Sequence, residues 1–267
     1  MTRNRLDVLL FERGLAESRE KARAMIIAGE VLVDNQKVDK PGHKVDEDVD
    51  ITVIKDEKRY ASRGGTKLEG AIKALNISFK AKVVLDVGAS TGGFTDCALK
   101  HGATRVYAVD VGYGQLDWRL RQDPRVKVME RTNIRYVTPE QFPEKMDMAI
   151  IDVSFISLGI VLPAIAGLLS ENAEVIALVK PQFEAGRGQV GKKGVVRDPA
   201  VHTAVLQKVA EQAQMSGLSV VDACYSPIKG PSGNIEFFFY LSNSRERQLS
   251  DDELEMVVNR AHNELRG

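Results

Sequence analysis

The stretch VVLDVGASTGGFTD, residues 83–96, joins a short apolar run to a glycine-rich turn and the start of a helical pattern. The run predicts a buried strand, and glycines let a ligand approach the backbone closely. Free amide groups at a helix start bind anions such as a carboxylate. The spacing Asp86-x-Gly88, then Gly92-Gly93, differs from the G-x-G-x-x-G of dinucleotide-binding folds. We therefore predict a site for a single nucleoside joined to an amino acid.

Short apolar runs alternate with helical patterns around this stretch. The runs are residues 83–87, 106–110, 126–129, 148–153, 175–179, 220–225 and 237–241. Such alternation predicts a doubly wound, Rossmann-like α/β sheet of seven strands. No helical pattern separates the last two runs, so we expect the final strand to be antiparallel to its neighbour. A capping box at 250–253 predicts a C-terminal helix.

The N-terminal residues form a separate pattern. Helical periodicity over 5–12 and 18–28 precedes alternating apolar positions up to residue 53, which predicts a small α+β domain. The segment KDEKRYASRGG, residues 55–65, loses all periodicity and ends in two glycines, as linkers do. We therefore predict a domain at 1–54, a linker at 55–65 and a second domain at 66–267.

Bulk composition restricts the possible classes of protein. The 267 residues carry 37 basic and 37 acidic side chains, so any nucleic-acid footprint must be local. Two cysteines, Cys97 and Cys224, are too few for a disulfide framework or a metal cluster, and we expect no metal and a cytoplasmic location. The longest apolar stretch, 155–169, is shorter than the roughly 20 residues that span a bilayer and predicts a buried helix.

Further candidate cofactor residues surround the glycine turn. Asp110 ends the next strand about 20 residues beyond the turn, where Rossmann-like folds place an acid on ribose hydroxyls. Ser90, Thr91 and Phe94 belong to the turn and the helix start. Asn133, after the third strand, is a candidate contact to the base, although a plain polar loop explains it equally well.

Four polar residues stand where apolar elements meet loops: Lys67, Asp152, Lys180 and Glu236. The carboxyl ends of parallel strands line one crevice, so we expect Asp152 and Lys180 to face each other. Glu236 begins an antiparallel strand, which brings it to the same edge. Each residue alone has an ordinary explanation as a surface lysine or a helix-capping acid. Together they predict a catalytic crevice.

These residues lie in motifs that resemble the TlyA (hemolysin A) family of ribosomal RNA 2′-O-methyltransferases, related to the FtsJ group, over essentially the whole chain. The motifs are SRGGTKL (62–68), VDVGYGQL (109–116), DVSF (152–155), VKPQFE (179–184) and GNIEF (233–237). The resemblance implies a class I methyltransferase that uses S-adenosylmethionine and acts on cytidines in ribosomal RNA. It also implies that the four polar residues form the family's Lys-Asp-Lys-Glu tetrad.

A ribose hydroxyl reacts only when its proton is removed or its developing negative charge is stabilised, and a lysine suits both tasks. We expect Lys180 to activate the hydroxyl, with Asp152 orienting it. Lys67 and Glu236 would steer the ribose, and two lysines in one crevice would depress the pKa of one of them.

The N-terminal residues resemble the small RNA-binding fold named after ribosomal protein S4. Arg19 and Arg23, four positions apart on a predicted helix, share one face and suit successive phosphates. Arg5 and Lys21 add to this basic face, and structured RNA is its natural target. Nearby glutamates leave a second interpretation open, in which the helix is only a solvated surface of mixed charge.

Competing chemistries lack their usual residues. Asp152 is followed by VSF, without the Pro-Pro-aromatic loop of enzymes that methylate exocyclic amines. Neither cysteine lies at the strand ends marked by Asp152 and Lys180, where covalent attack on a pyrimidine would need a thiolate. Three other classes of protein stay open: a membrane-lytic protein, as the older family name suggests, a non-catalytic ribosome-assembly factor, and a small-molecule methyltransferase.

Overall fold

The computed structural model describes residues 3–16, 18–27, 31–53, 60–191 and 193–265. The chain divides into two compact units, residues 1–59 and 60–267.

The N-terminal unit is α+β. Its elements are β1 (Arg3–Arg5), α1 (Leu6–Glu12), α2 (Arg19–Ile27), β2 (Val31–Val33), β3 (Gln36–Lys37), β4 (Lys44–Asp46) and β5 (Ile51–Val53). Strands β1 and β4 pair antiparallel, and β2 pairs with β3 and β5 in a second antiparallel sheet. Leu6 and Leu10 of α1 and Ala22 and Ile26 of α2 are buried together, because positions three or four apart share a helix face. This packing fixes the surface that carries the arginines.

The second unit is built on a seven-stranded sheet. Its strands are β6 (Val83–Val87), β7 (Arg105–Val109), β8 (Val126–Met129), β9 (Met146–Ile151), β10 (Leu169–Val179), β11 (Ser219–Tyr225) and β12 (Phe237–Ser242). Their order across the sheet is β11-β12-β10-β9-β6-β7-β8. Strand β12 lies antiparallel to both β10 and β11, and the other described pairs are parallel. The predicted fold and its antiparallel final strand are confirmed.

Helices cover both faces of this sheet. They are α3 (Arg63–Leu75), α4 (Gly93–Lys100), α5 (Trp118–Gln122), α6 (Leu158–Ala166), α7 (Pro181–Glu184), α8 (Pro199–Met215) and α9 (Asp251–Glu264). Alternate residues of β9 and β10 enter two separate apolar clusters, as strand geometry requires. Helices α3, α4 and α5 pack into one cluster and α6, α8 and α9 into the other. The capping box predicted at residues 250–253 begins α9.

The last part of the predicted linker, residues 60–65, belongs to the second unit. Residues 54–59 lie outside the described residues, but Tyr60 is buried and Ser62 caps α3, whose first residues are in the predicted linker. Glycine here serves close packing rather than flexibility, because a Cβ atom on Gly65 would collide with the ring of Tyr60. Residues 60–65 therefore form the first residues of α3 and the segment that leads into it.

The apolar stretch 155–169 is only partly a buried helix. Helix α6 occupies Leu158–Ala166, and Leu169 already begins β10. Phe155 has a positive φ of 64° and is 91% exposed, so it stands in a turn before the helix. Among the residues that the structure describes, no helix has both the length and the apolar character to cross a bilayer.

Candidate active site

The glycine turn after β6 lies directly against the end of β9. Gly88 has a φ of 85°, in the region that favours glycine, and an added Cβ would lie 2.5 Å from the Asp152 carbonyl oxygen. The Asp152 amide donates a hydrogen bond of 3.0 Å to the Val87 carbonyl. The predicted cofactor turn and the predicted catalytic strand end are therefore in backbone contact.

Asp86 lies in the sheet beneath this turn with an incomplete set of hydrogen bonds. Its side chain is buried, and Oδ2 accepts a 2.5 Å hydrogen bond from the Thr95 hydroxyl. Within the described part of the chain, buried Oδ1 has no hydrogen-bond partner. Burial raises the pKa of this carboxyl to about 7, although the Thr95 hydrogen bond opposes the shift. A buried acceptor without a partner favours a water or ligand at this position.

Asp110 connects the turn to the next strand. Its Oδ2 accepts a 2.8 Å hydrogen bond from the Ser90 amide, and Oδ1 accepts a 2.7 Å bond from the Gly112 amide. Each carboxylate oxygen retains a second lone pair, which suits a ribose hydroxyl. Asn133 has a different local role, because its side-chain oxygen accepts from the Arg135 amide and caps a short 3-10 helix. Its contact with a base stays a prediction.

A cavity of about 660 Å³ opens beside the turn. Its lining includes Gly88, Ser90, Thr91, Gly93 and Phe94 from the predicted cofactor site. All four residues of the predicted tetrad, Lys67, Asp152, Lys180 and Glu236, line the same cavity. The structure thus brings together residues that lie up to 169 positions apart in the sequence.

The tetrad consists of two ion pairs that differ in burial. Lys67 Nζ lies 2.5 Å from Glu236 Oε2, and the two side chains are 9% and 1% exposed. Lys180 Nζ lies 2.6 Å from Asp152 Oδ1, and those side chains are 11% and 21% exposed. Each ammonium group therefore faces a carboxylate, and Asp152 and Lys180 face each other as expected from the sequence.

Two further polar residues contact the tetrad. Ser154 Oγ accepts a 3.0 Å hydrogen bond from Lys180 Nζ, and Gln182 Nε2 donates one of 3.4 Å to Glu236 Oε1. Sequence reasoning missed both, although each lies two positions after a tetrad residue. That spacing is a usable signal, because residues just after the carboxyl ends of neighbouring strands lie beside the same crevice.

Glu184 ties together the segments that follow β9 and β10. Its buried carboxylate accepts hydrogen bonds of 2.6 Å from the Ser157 hydroxyl and 2.7 Å from the Leu158 amide at the start of α6. The exposed ring of Phe155, on the same segment, lies 4.9 Å from the Phe183 ring and lines the cavity. The segment that carries Ser154 and Phe155 is therefore fixed against α7 by these hydrogen bonds and by the contact between the two rings.

In the N-terminal unit, predicted basic residues gather around one buried acid. Arg5 Nε donates a 2.9 Å hydrogen bond to Asp7 Oδ1, and Arg19 Nη2 lies 3.7 Å from Asp7 Oδ2. The hydrogen bond from Arg5 lowers the pKa of the Asp7 carboxyl, and Arg23 also acts on it electrostatically. Lys21 is exposed on the same helix. Arg5 and Arg19 therefore share one surface, with their charge partly offset by Asp7.

The fold and the cavity define the class of protein. The architecture of class I methyltransferases is a doubly wound sheet with an antiparallel final strand, a glycine turn after its first strand in the chain, here β6, and an acid after the next strand. Across the described residues, no cluster of three or more histidine, cysteine or acidic side chains could hold a metal ion.

The chain belongs to the FtsJ-like methyltransferase family, whose model matches residues 60–243, and residues 4–51 match the S4 domain. It is 52% identical to the "Putative rRNA methyltransferase YqxC" of Bacillus subtilis, over 99% of this chain and 96% of that protein. It is 48% identical to the "16S/23S rRNA (cytidine-2′-O)-methyltransferase TlyA" of Mycobacterium tuberculosis, over 98% of both chains. A solved structure, "Putative hemolysin from Streptococcus thermophilus", is 46% identical, with a TM-score of 0.79 over 100% of this chain and 98% of that one.

Proposed function

We propose that the protein transfers a methyl group from S-adenosylmethionine to the ribose 2′-hydroxyl of a cytidine in ribosomal RNA, in the cytoplasm. The observation that carries this proposal is the pairing of Lys180 with Asp152 and of Lys67 with Glu236 in one cavity beside the glycine turn. The printed activity of the 48% identical TlyA relative supports the same reaction and the same substrate.

The glycine turn and its acids fit the cofactor. Gly88 leaves no room for a side chain, Asp86 has a buried acceptor to complete, and Asp110 keeps lone pairs for ribose hydroxyls. The amide groups at the start of α4, next to Gly93, suit the carboxylate of the methionine part. S-adenosylmethionine, when bound, supplies an electrophilic methyl group on a sulfonium. The chain's own residues have to position and activate the hydroxyl.

Lys180 is the residue best arranged to act on that hydroxyl. Its Nζ donates a hydrogen bond to the Ser154 hydroxyl and is ion-paired with Asp152, and these two contacts hold the nitrogen at the wall of the cavity. As an amine, Lys180 takes the hydroxyl proton; as an ammonium, it stabilises the oxygen as negative charge develops. Lys67 and Glu236, which are more buried, hold the wall of the cavity and orient the ribose.

The cysteines give no support to carbon methylation. Burial raises the pKa of the Cys97 and Cys224 thiols to about 12, so both are neutral near pH 7. Covalent attack on a pyrimidine ring requires a thiolate beside the substrate. The oxygen of the ribose therefore remains the best target for this site.

The S4 domain supports an RNA substrate, held by Arg5, Arg19, Lys21 and Arg23. The double variant Arg19→Ala/Arg23→Ala should bind protein-free ribosomal RNA more weakly, and its affinity should depend less steeply on salt, because fewer counterions are released. An unchanged affinity and salt slope would leave this basic face as solvated surface. Affinity for S-adenosylmethionine, measured by calorimetry, serves as the control and should not change.

The atom that receives the methyl group can be tested on the product. Alkaline cleavage of RNA requires the 2′ oxygen to attack the neighbouring phosphate, so 2′-O-methylation protects one internucleotide bond. RNA treated with enzyme and cofactor should show a gap in its alkaline ladder, and RNA treated with the Lys180→Ala variant should not. An uninterrupted ladder from RNA that has demonstrably taken up labelled methyl groups would exclude the ribose as the target.

A further inference from the structure

A second cavity lies next to the catalytic cavity. It has a volume of about 440 Å³ and is lined by residues 195–197, by the loop 229–235 and by the last turn of α9. Lys229 and Ser232 line both cavities, so the loop that carries them forms a ridge between the two. Tetrad residue Glu236 directly follows this ridge in the chain.

The ridge is held in place by hydrogen bonds. The Ser226 amide donates to the Glu236 carbonyl over 2.8 Å, and the Gly230 amide donates to the Asn234 carbonyl over 2.9 Å. The buried Asn234 side chain accepts from the Val196 amide and donates to the Gly194 carbonyl, both at 2.9 Å. These bonds join the walls of both cavities to the base of β12, so a ligand that crosses the ridge meets a preformed surface.

The charge of the second cavity indicates what it can bind. Arg197 and Lys229 line it, and its lining contains no carboxylate within the described residues. Arg197 is exposed. Val195, Ile235 and Leu265 provide apolar surface in the same cavity. Cationic groups beside apolar surface suit a nucleotide, whose phosphate is anionic and whose base has apolar faces.

We propose that this second cavity binds the nucleotide adjacent to the methylated one, with its phosphate against Arg197 and Lys229. The inference rests on the proposed function, because an internal ribose carries a phosphate on both sides and its strand must leave the catalytic cavity. An RNA strand that passes over the ridge stays close to Lys229, because this residue lines both cavities. The enzyme would therefore recognise an internal nucleotide of an RNA strand rather than a free nucleoside.

Arg197 allows the proposal to be tested in the full-length protein. The variant Arg197→Ala should bind protein-free ribosomal RNA roughly threefold to tenfold more weakly, and its log-log salt slope should be smaller by about 0.7 to 0.9 for one lost phosphate contact. Arg197→Glu should bind more weakly still. Arg247→Ala provides a matched control, since Arg247 is an exposed arginine outside both cavities that pairs with Glu253. It should behave as wild type.

Methyl transfer to the same RNA gives the second measurement. Arg197→Ala should raise KM for RNA and leave kcat at saturating RNA and the affinity for S-adenosylmethionine unchanged, because Arg197 is not part of the tetrad. Wild-type affinity and salt slope in both Arg197 variants would overturn the proposal. So would a defect confined to intact ribosomal subunits, because it would indicate an acidic ribosomal protein in the cavity. A wild-type enzyme that binds RNA without methylating it would instead refute the proposed function and leave the binding result interpretable.

Discussion

The two ion pairs of the tetrad should make different contributions to stability. Glu236→Gln removes the counter-charge of Lys67, whose side chain is only 9% exposed. Removing one partner of a buried ion pair leaves an uncompensated charge and costs about 3 kcal/mol of the free energy of unfolding. Asp152→Asn should cost less, because the Asp152 side chain is 21% exposed whereas that of Glu236 is 1% exposed.

A double variant separates charge burial from loss of packing. Lys67→Met/Glu236→Leu replaces the buried pair with apolar side chains, and such replacements are often neutral or stabilising. We expect its free energy of unfolding to lie within about 1 kcal/mol of wild type, although it should have no methyltransferase activity. Asp152→Asn should likewise be inactive while remaining stable.

Urea unfolding followed by circular dichroism measures these differences. Trp118, the single tryptophan, lies in α5, so its fluorescence reports the unfolding of the second unit separately. The reasoning would be refuted by a Glu236→Gln variant as stable as wild type, or by a double variant no more stable than that single variant. Either result would mean that leaving the buried Lys67 ammonium without its carboxylate partner does not lower the free energy of unfolding.

Three further predictions concern the cofactor, the hydroxyl and acid stability. Asp110→Ala should weaken S-adenosylmethionine binding about tenfold or more in calorimetry, because it removes the acceptor of the Ser90 amide and the proposed acceptor of the ribose hydroxyls. Ser154→Ala should lower kcat without changing cofactor affinity, and Ser154→Thr, which retains the hydroxyl that accepts from Lys180, should recover most of the rate. Burial and a neighbouring histidine lower the pKa of His202 to about 4. Between pH 7 and pH 5 this histidine is protonated in the unfolded chain but stays neutral in the folded one. The free energy of unfolding should therefore fall by about 2 kcal/mol over this range, and His202→Leu should not show this decrease.

The sequence predicts the sheet well because each strand is specified locally. Apolar runs such as 83–87, which is followed by Gly88, alternate with helical periodicity, and these signals can be recognised without knowledge of the tertiary contacts. The antiparallel position of β12 was also predictable, since no crossover helix precedes it.

Other features depend on contacts between distant segments. The sequence predicts that Gly65 is part of a linker. Only the position of the Tyr60 ring in the structure shows that a side chain at residue 65 would collide with it. The pairing of Lys67 with Glu236 spans 169 positions, so no local pattern could show which carboxylate each lysine faces. Phe155 is apolar and precedes an apolar helix, so composition alone assigned it to the core.

The position of β12 between β10 and β11 has a consequence for biosynthesis. Those two strands are both made earlier, but they are not neighbours in the sheet, and the gap between them is filled only when residues 237–242 have left the ribosome. Glu236 arrives with that strand, so its ion pair with Lys67 forms only then. Vectorial synthesis thus delays assembly of the crevice until β12 has been made. A prematurely terminated product that ends before residue 236 would lack both Glu236 and β12, and with them one wall of the catalytic crevice.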